Sequence, residues 1–427
     1  MSNTHVVVIA VLLCRGLAWG QDASDPQTIR DLVQEVRELK SETQQLRDEL
    51  LALKAQQTSV QATSQAAAPA SEATPVEGSL APTQPETTFH SLYGIRWQGF
   101  GEVHYKVLDQ RQPELGTYGF VPGSAGNFYT GDFDLFLHSR LSDRTSVQAD
   151  VVFQEVDAQS YKLDMRQALL KIDWSEHLKL AFGRYQTAIG YYNTAFRSAA
   201  WLQTTADRPL VMEYASNGGL LPTQAVGVSI TGAIPSGKLG LSYIGEYGSS
   251  DTIRPDISGS GLFNDENDGN HALVGIVIRP DWLSGLQGGS SFFHDKISDS
   301  VVSVTDRFGQ SILNTYVVYS GHKVESLNEA FLIRQTQLVT GRVFNTPAFY
   351  TQISRQWGLI RPFFRYQYVN ASSLNTIYDD VGLRAGPSFG ARYDPTSSVA
   401  LKAQLDHTQR RGLPDLNGLH LQVAFTF

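Results

Sequence analysis

From Phe89 onward the chain repeats one pattern: short segments in which apolar and polar side chains alternate, joined by links that are by turns short and long. A period of two is the signature of a β-strand with one apolar and one polar face. In IRWQGFGEVHY, Ile95, Trp97, Val103 and Tyr105 share one face, and Arg96, Gln98, Glu102 and His104 share the other. In YTGDFDLFLHSRL, Tyr129, Phe133, Leu135, Leu137 and Leu141 oppose Asp132, Asp134, His138 and Arg140. The same dyad runs through KLGLSYIGEY, LIRPFFRYQYV, SVALKAQLDHT and the closing LHLQVAFTF. Two stretches are less regular: residues 162–174 slip phase near Gln167, and the strand around Phe331 fits either face.

Alternation alone also suits a two-layer sandwich, so the links decide. Tight turns are read at 142–145, 173–177, 235–238, 280–285, 321–326, 354–358 and 394–398. Between them fall longer links at 108–127, 184–222, 249–270, 295–310, 335–346, 370–380 and 409–417, with 184–222 the largest and 157–161 the one short exception. A sandwich has no reason to sort its loops in this way. A transmembrane antiparallel β-barrel does, since its strands are even in number with short turns at one rim and long loops at the other. The segments come to about 16 strands, a ring too wide for side chains to fill. Closure would pair every backbone group, as a lipid environment requires. The closing HLQVAFTF should then be the last strand, paired with the first around 95–105. Leu421, Val423, Phe425 and Phe427 should face lipid, and His420, Gln422 and Thr426 water, with the terminal aromatic acting as an assembly signal. Trp97, Tyr105, Trp174, Tyr247, Trp282 and Tyr393 lie near strand ends, where interfacial aromatics gather.

The residues before the barrel divide into three zones. Val6 to Cys14 is an apolar run too short to span a bilayer, followed by Ala18-Trp19-Gly20, so residues 1–20 read as a secretory signal peptide. Cys14 is the only cysteine, so intrachain disulfides and multi-cysteine metal sites are excluded. Asp25 and Pro26 suit a helix start. Ile29, Leu32, Val36, Leu39, Thr43, Leu46, Leu50 and Leu53 then follow a heptad seam, which predicts a short α-helical coiled coil over 25–57 and hence an oligomer. Residues 58–88 are Ala, Ser, Thr, Gln and Pro with almost no large apolar groups, a disordered linker. The barrel domain is 89–427.

The net charge of -8 argues against nucleic acid as a partner. GAIPSGKL nearly spells a phosphate-binding loop, but Leu239 stands where Ser or Thr is needed, and the segment joins two strands. NDENDG opens like a calcium loop, but Gly275 occupies the position of the bidentate Glu. No H-E-x-x-H, G-x-S-x-G or C-x-x-C occurs, and no metal, cofactor or enzymatic activity is expected.

The segments LKLAFGRYQTAIGYYNTAFRSAAWLQ and NDENDGNHALVGIVIRP, with the closing LQVAFTF, resemble the phosphate-selective porin O and P family of bacterial outer-membrane channels. The resemblance implies an outer-membrane homotrimer whose long third loop, opened here at Phe182-Gly183-Arg184, folds into the barrel and narrows a water-filled pore. It implies contacts with the lipid bilayer and lipopolysaccharide, and passage of small hydrophilic solutes or anions. The barrel domain carries 28 Lys plus Arg against 31 Asp plus Glu, a net of -3, so no basic excess supports anion selectivity. Parity places Arg96, Arg140, Arg361, Arg365, Arg384 and Arg392 inward, and the third loop adds Arg184, Arg197, Asp207, Arg208 and Glu213 as pore-lining candidates. Inward arginines facing acidic loop residues would set a transverse field across the pore. The competing expectation is an outer-membrane anchor that its coiled coil links to the cell wall.

Overall fold

The computed structural model describes residues 90–92, 94–110, 125–157, 160–196, 199–213, 219–250, 270–298 and 307–427. The signal segment, coiled coil and linker of the sequence reading therefore lie outside the described residues, as do Arg197 and the whole of NDENDG. Among the described residues, seventeen strands form one sheet. They are β1 (His90–Leu92), β2 (Ile95–Leu108), β3 (Ala125–Arg140), β4 (Thr145–Asp157), β5 (Ser160–Ser175), β6 (Leu178–Gln186), β7 (Gln224–Ala233), β8 (Leu241–Ser250) and β9 (His271–Ile278). The series continues with β10 (Leu286–Ser298), β11 (Arg307–Ser320), β12 (Val324–Gln337), β13 (Val343–Arg355), β14 (Ile360–Asn370), β15 (Leu383–Thr396), β16 (Val399–Arg410) and β17 (Leu416–Thr426). From β2 to β17 each strand pairs antiparallel with the next, and β17 returns to β2. The sixteen long strands therefore close a ring, while β1 only extends the edge of β2.

Closure is made where the sequence places it. Leu421 lies opposite Tyr105, Val423 opposite Val103 and Phe425 opposite Gly101, and Gly99 and Phe427 exchange a pair of backbone hydrogen bonds of 2.8 and 3.0 Å. The rings of Phe427 and Phe425 lie over Gly99 and Gly101, occupying the space where a side chain would stand. Glycine weakens a strand by leaving backbone uncovered, and an aromatic from the neighbouring strand restores the cover. Inside and outside follow parity here: Leu421 and Val423 are exposed, whereas His420 and Gln422 are buried inward.

Two β-bulges re-aim side chains that strict alternation would misplace. A register shift between Gly101 and Val103 turns Tyr129, expected with the apolar face, into the barrel. There its ring stacks on His104, with centroids 4.7 Å apart and planes 8° from parallel. A second shift opposite Asp150 and Val151 is the phase slip read near Gln167, and it buries both Arg166 and Gln167. The link expected at 335–346 is shorter than the sequence suggested. The β12–β13 hairpin continues to Gln337 and resumes at Val343, because Ile333 and Phe344 keep inward faces to bury.

The strand around Phe331, ambiguous in the sequence, has Phe331, Ile333 and Leu327 inward and buried while Leu332 is exposed outward. An apolar inner face is unusual for a wide barrel, whose lumen is ordinarily polar. Its cause is the loop that fills this half of the ring.

Candidate functional site

The loop joining β6 to β7 spans 187–223, and its described residues include a short helix, α1 (Tyr191–Ala195), and turns of 3-10 helix at Ala200–Leu202 and Leu210–Met212. Its neck is tied by the Thr187 amide donating to the Thr223 carbonyl at 3.0 Å and the Thr187 hydroxyl donating to the Pro222 carbonyl at 2.7 Å. The Asn193 side-chain amide reaches back to the carbonyls of Thr187 and Thr223, both at 2.9 Å. Before the neck, Gly183 lies in β6 between Leu169 of β5 and Gly227 of β7. Its φ is +123°, and a Cβ there would lie 2.0 Å from the Ala168 carbonyl oxygen. Gly183→Ala is expected to cost about 2–3 kcal/mol, since neither the backbone conformation nor the neighbouring carbonyl can yield cheaply. The denaturant midpoint of the barrel in detergent micelles reads this, and an unchanged midpoint would contradict it.

Beyond its neck the loop touches strands across the ring, which it can reach only through the lumen. On one side Tyr191, Tyr192, Phe196, Met212, Leu220 and Leu221 pack on Phe293, Ile312, Tyr316, Leu327, Phe331 and Tyr350. Burying so many apolar groups together is the main favourable contribution to holding the loop inside. Two wall acids accept from loop amides, and those at the start of the short helix are amides with no partner inside the helix. Glu329 accepts from the amides of Tyr191 and Tyr192 at 2.9 and 2.8 Å and from the Tyr350 hydroxyl. Glu246 accepts from the Ala188 amide at 3.1 Å.

On the other side the wall is basic and meets carbonyl oxygens. Lys402 donates to Ala200 and Thr205 at 2.5 and 3.1 Å, and Arg392 to Trp201 and Gln203 at 2.6 and 2.9 Å. Arg365 donates to the Asp207 carbonyl at 2.8 Å, and the Arg392 guanidinium also lies over the Trp201 ring, 5.4 Å from its centroid. Gln404 accepts from the Ala206 amide at 3.0 Å, while Gln422 donates to the Ala206 carbonyl at 3.1 Å. The loop backbone thus presents N–H groups to acids on β8 and β12 and carbonyls to cations on β14, β15 and β16. The bonds from the Arg365 and Arg392 guanidiniums are charge-assisted, a class about twice as strong as neutral hydrogen bonds.

The acidic loop side chains lie beside this clamp. Asp207 is 3.3 Å from the Lys106 ammonium and 3.0 Å from Nδ1 of His420. Burial, and after it the neighbouring Asp207 charge, pushes the Glu213 carboxyl up to about 7, so its charge changes near neutral pH.

Of the residues singled out by sequence, Asp207, Arg208, Arg365 and Arg392 come together at the loop. Arg208 lies over the Tyr192 ring, 5.5 Å from its centroid, and Arg365 is 1% exposed. Arg184 donates to the Gln224 side chain at 2.6 Å and stands 3.6 Å from Asp164. The others serve strand ends. Arg140 binds the turn at Ser142 and Asp143, Arg384 the carbonyls of Val381 and Asp380, and Arg361 the Gln356 side chain. Arg96 contacts His138 at 3.3 Å. The inward arginines nearest the loop donate to its backbone carbonyls, Arg392 also pairs with Asp394 at 2.7 Å, and the loop acids Asp207 and Glu213 feel the charge of Arg365. Lys106, Lys402, Glu246, Glu329 and Gln404 were missed, and Gln422 was read only as facing water. Inward parity was visible in the alternation for those on regular strands, as in SVALKAQLDHT for Lys402 and Gln404, while Glu329 lies on the strand that fits either face; except for Lys106, which meets the Asp207 side chain, their partner is loop backbone, which has no sequence signal.

No protein-family model matches the chain, and neither does any curated protein. Among solved structures it is similar to the outer membrane channel DcaP of Acinetobacter baumannii, with 10% identity, TM-score 0.54 and coverage of 81% of this chain and 100% of that one. An anion-selective porin from Comamonas acidovorans aligns at 10% identity and TM-score 0.52, covering 78% and 99%. Salmonella typhi OmpF, in a complex with daunomycin, aligns at 12% identity and TM-score 0.50, covering 80% and 100%. At such identities the likeness is one of fold, and the fold is a closed antiparallel barrel of the kind those channels share.

Proposed function

We propose that the chain is an outer-membrane porin through which small hydrophilic solutes or ions diffuse passively past the third loop. One observation carries the reading. The outside of a closed ring exposes apolar side chains at alternate positions, among them Val274, Leu313, Val317, Leu332, Leu405 and Leu421, while the inside holds polar groups and a folded-in loop. Only a lipid surround makes such an exterior favourable. Within the reading, residues 1–20 are a signal peptide, 25–57 a periplasmic coiled coil, 58–88 a disordered linker, and the assembly a homotrimer in contact with lipopolysaccharide. The loop entered at Phe182-Gly183-Arg184 supports kinship with the phosphate-selective porin O and P family in architecture. The reading assigns the chain no enzymatic chemistry.

Selectivity is read from which charges remain available to a solute. Lys402 and Arg365 are buried and committed to loop carbonyls, so they contribute little attraction for anions. Purified full-length protein is expected to give unitary steps in planar bilayers, with a reversal potential across a salt gradient that shows only weak preference for either sign. An absence of steps would sink the porin reading in favour of the membrane anchor. Strong anion selectivity would show that the clamped cations still face the solute.

A further inference from the structure

The third loop is joined to the closing seam of the barrel by a chain of ionisable side chains that the porin reading does not use. Glu102 Oε1 lies 3.1 Å from Nε2 of His104. His104 Nδ1 lies 2.7 Å from Nε2 of His420, and Nδ1 of His420 lies 3.0 Å from Oδ1 of Asp207 on the loop. Both rings are buried, His104 to 6% and His420 to 1% exposure, and Tyr129 stacks on the first. The rings belong to β2 and β17, the two strands that close the ring, so the chain links closure to loop position.

Counting protons along this chain shows when it holds. A nitrogen-to-nitrogen contact of 2.7 Å needs one proton, given by one ring and accepted by the other. The two outer nitrogens face carboxylate oxygens at close range without the alignment of full hydrogen bonds. Those contacts attract when the nitrogen carries a proton and repel when it presents a lone pair. All three contacts are favourable only when the pair of imidazoles holds three protons and a single positive charge. Removing one proton sets a lone pair against an acceptor; adding one sets two N–H groups against each other. We propose that this chain is a proton-operated latch on the third loop, closed at three protons and released on either side. The charged and titratable groups around it are Glu102 and Lys106 on β2, Tyr129 and Asp132 on β3, Lys402 and Asp406 on β16, and Asp207 and Glu213 on the loop.

The test is hydrogen exchange of amides 199–208 in the full-length protein in detergent micelles, followed over a pH series and normalised to wall-strand peptides. It is run in a Glu213→Gln background, which removes the one-directional titration of that carboxyl. Protection should pass through a maximum in pH and fall about tenfold on each side, the scale of one favourable contact in the chain lost. His420→Gln should abolish the maximum. His104→Gln, which breaks the same chain from the other strand, should do so too and serves if the first variant does not fold. A maximum that survives in either variant, or a profile without one in the parent, overturns the latch. Channel function enters only as the consequence. A maximum in protein that gives no bilayer steps keeps the latch and removes the porin reading, whereas steps with a featureless profile do the reverse.

Discussion

Tyr192→Ala is expected to lower the stability of the barrel by about 3–5 kcal/mol and to raise its unitary conductance, although the residue belongs to a loop. Tyr192 is 1% exposed. Its ring lies 4.5 Å from that of Phe196 and stands edge-on to Tyr350 at 5.9 Å. Its hydroxyl donates to the Gln203 side chain at 3.1 Å, tying the helical start of the loop to its middle. Truncation would open a cavity, leave the Arg208 guanidinium without the ring beneath it, and cut that tie. In an ordinary surface loop the surroundings are wet and a single truncation costs little. Here the wall behind it is Leu327, Phe331 and Ile312, so the loop is half of a hydrophobic core. Thermal unfolding of purified protein measures the first effect and planar-bilayer recording the second. A shift below that of a surface substitution, about 0.5 kcal/mol, would show that the loop is not integral to the barrel.

That core also explains which parts of the fold were legible. Alternation gave the ring because strands such as β16 and β17 keep polar residues inward and apolar ones outward, as Gln404 and His420 against Leu405 and Leu421 show. It faltered at β12, where the loop supplies an apolar cover for the inner face, so Phe331 and Leu332 both sit in apolar surroundings and the period of two loses contrast. The phase slip at Gln167 was visible because a bulge inserts a residue without changing the chemistry on either side. The turn of Tyr129 was not, because an aromatic suits either face. The inward positions of Arg365 and Arg392 followed from parity, yet their partners could not. Side chain to backbone hydrogen bonds across the ring depend on the path of the loop, and carbonyls at 201, 203 and 207 are the same in every sequence. For the same reason a second inward loop went unread. Tyr378, in the link between β14 and β15, is fully buried and donates to the Leu220 carbonyl at 2.7 Å.

Glu329→Ala should be the most damaging single change in the wall. The carboxylate accepts the amides of Tyr191 and Tyr192 and the hydroxyl of Tyr350, all buried. Deleting it leaves three donors with no acceptor in a site where an unsatisfied group costs about 1–3 kcal/mol, so a loss of roughly 3 kcal/mol or more is expected. Glu246→Ala, which removes the acceptor of the Ala188 amide alone among the described loop groups, should cost about 1–2 kcal/mol on the same scale. The ratio is the informative quantity, because both changes remove a buried acid and a similar volume and differ in how many loop donors lose their partner. Glu329→Gln retains an oxygen that can accept, and should recover part of the loss. If the two alanine variants unfold at the same denaturant concentration, the carboxylates stabilise the protein through the charge balance of the lumen, and the matching of loop donors to wall acceptors is not what holds the loop in place.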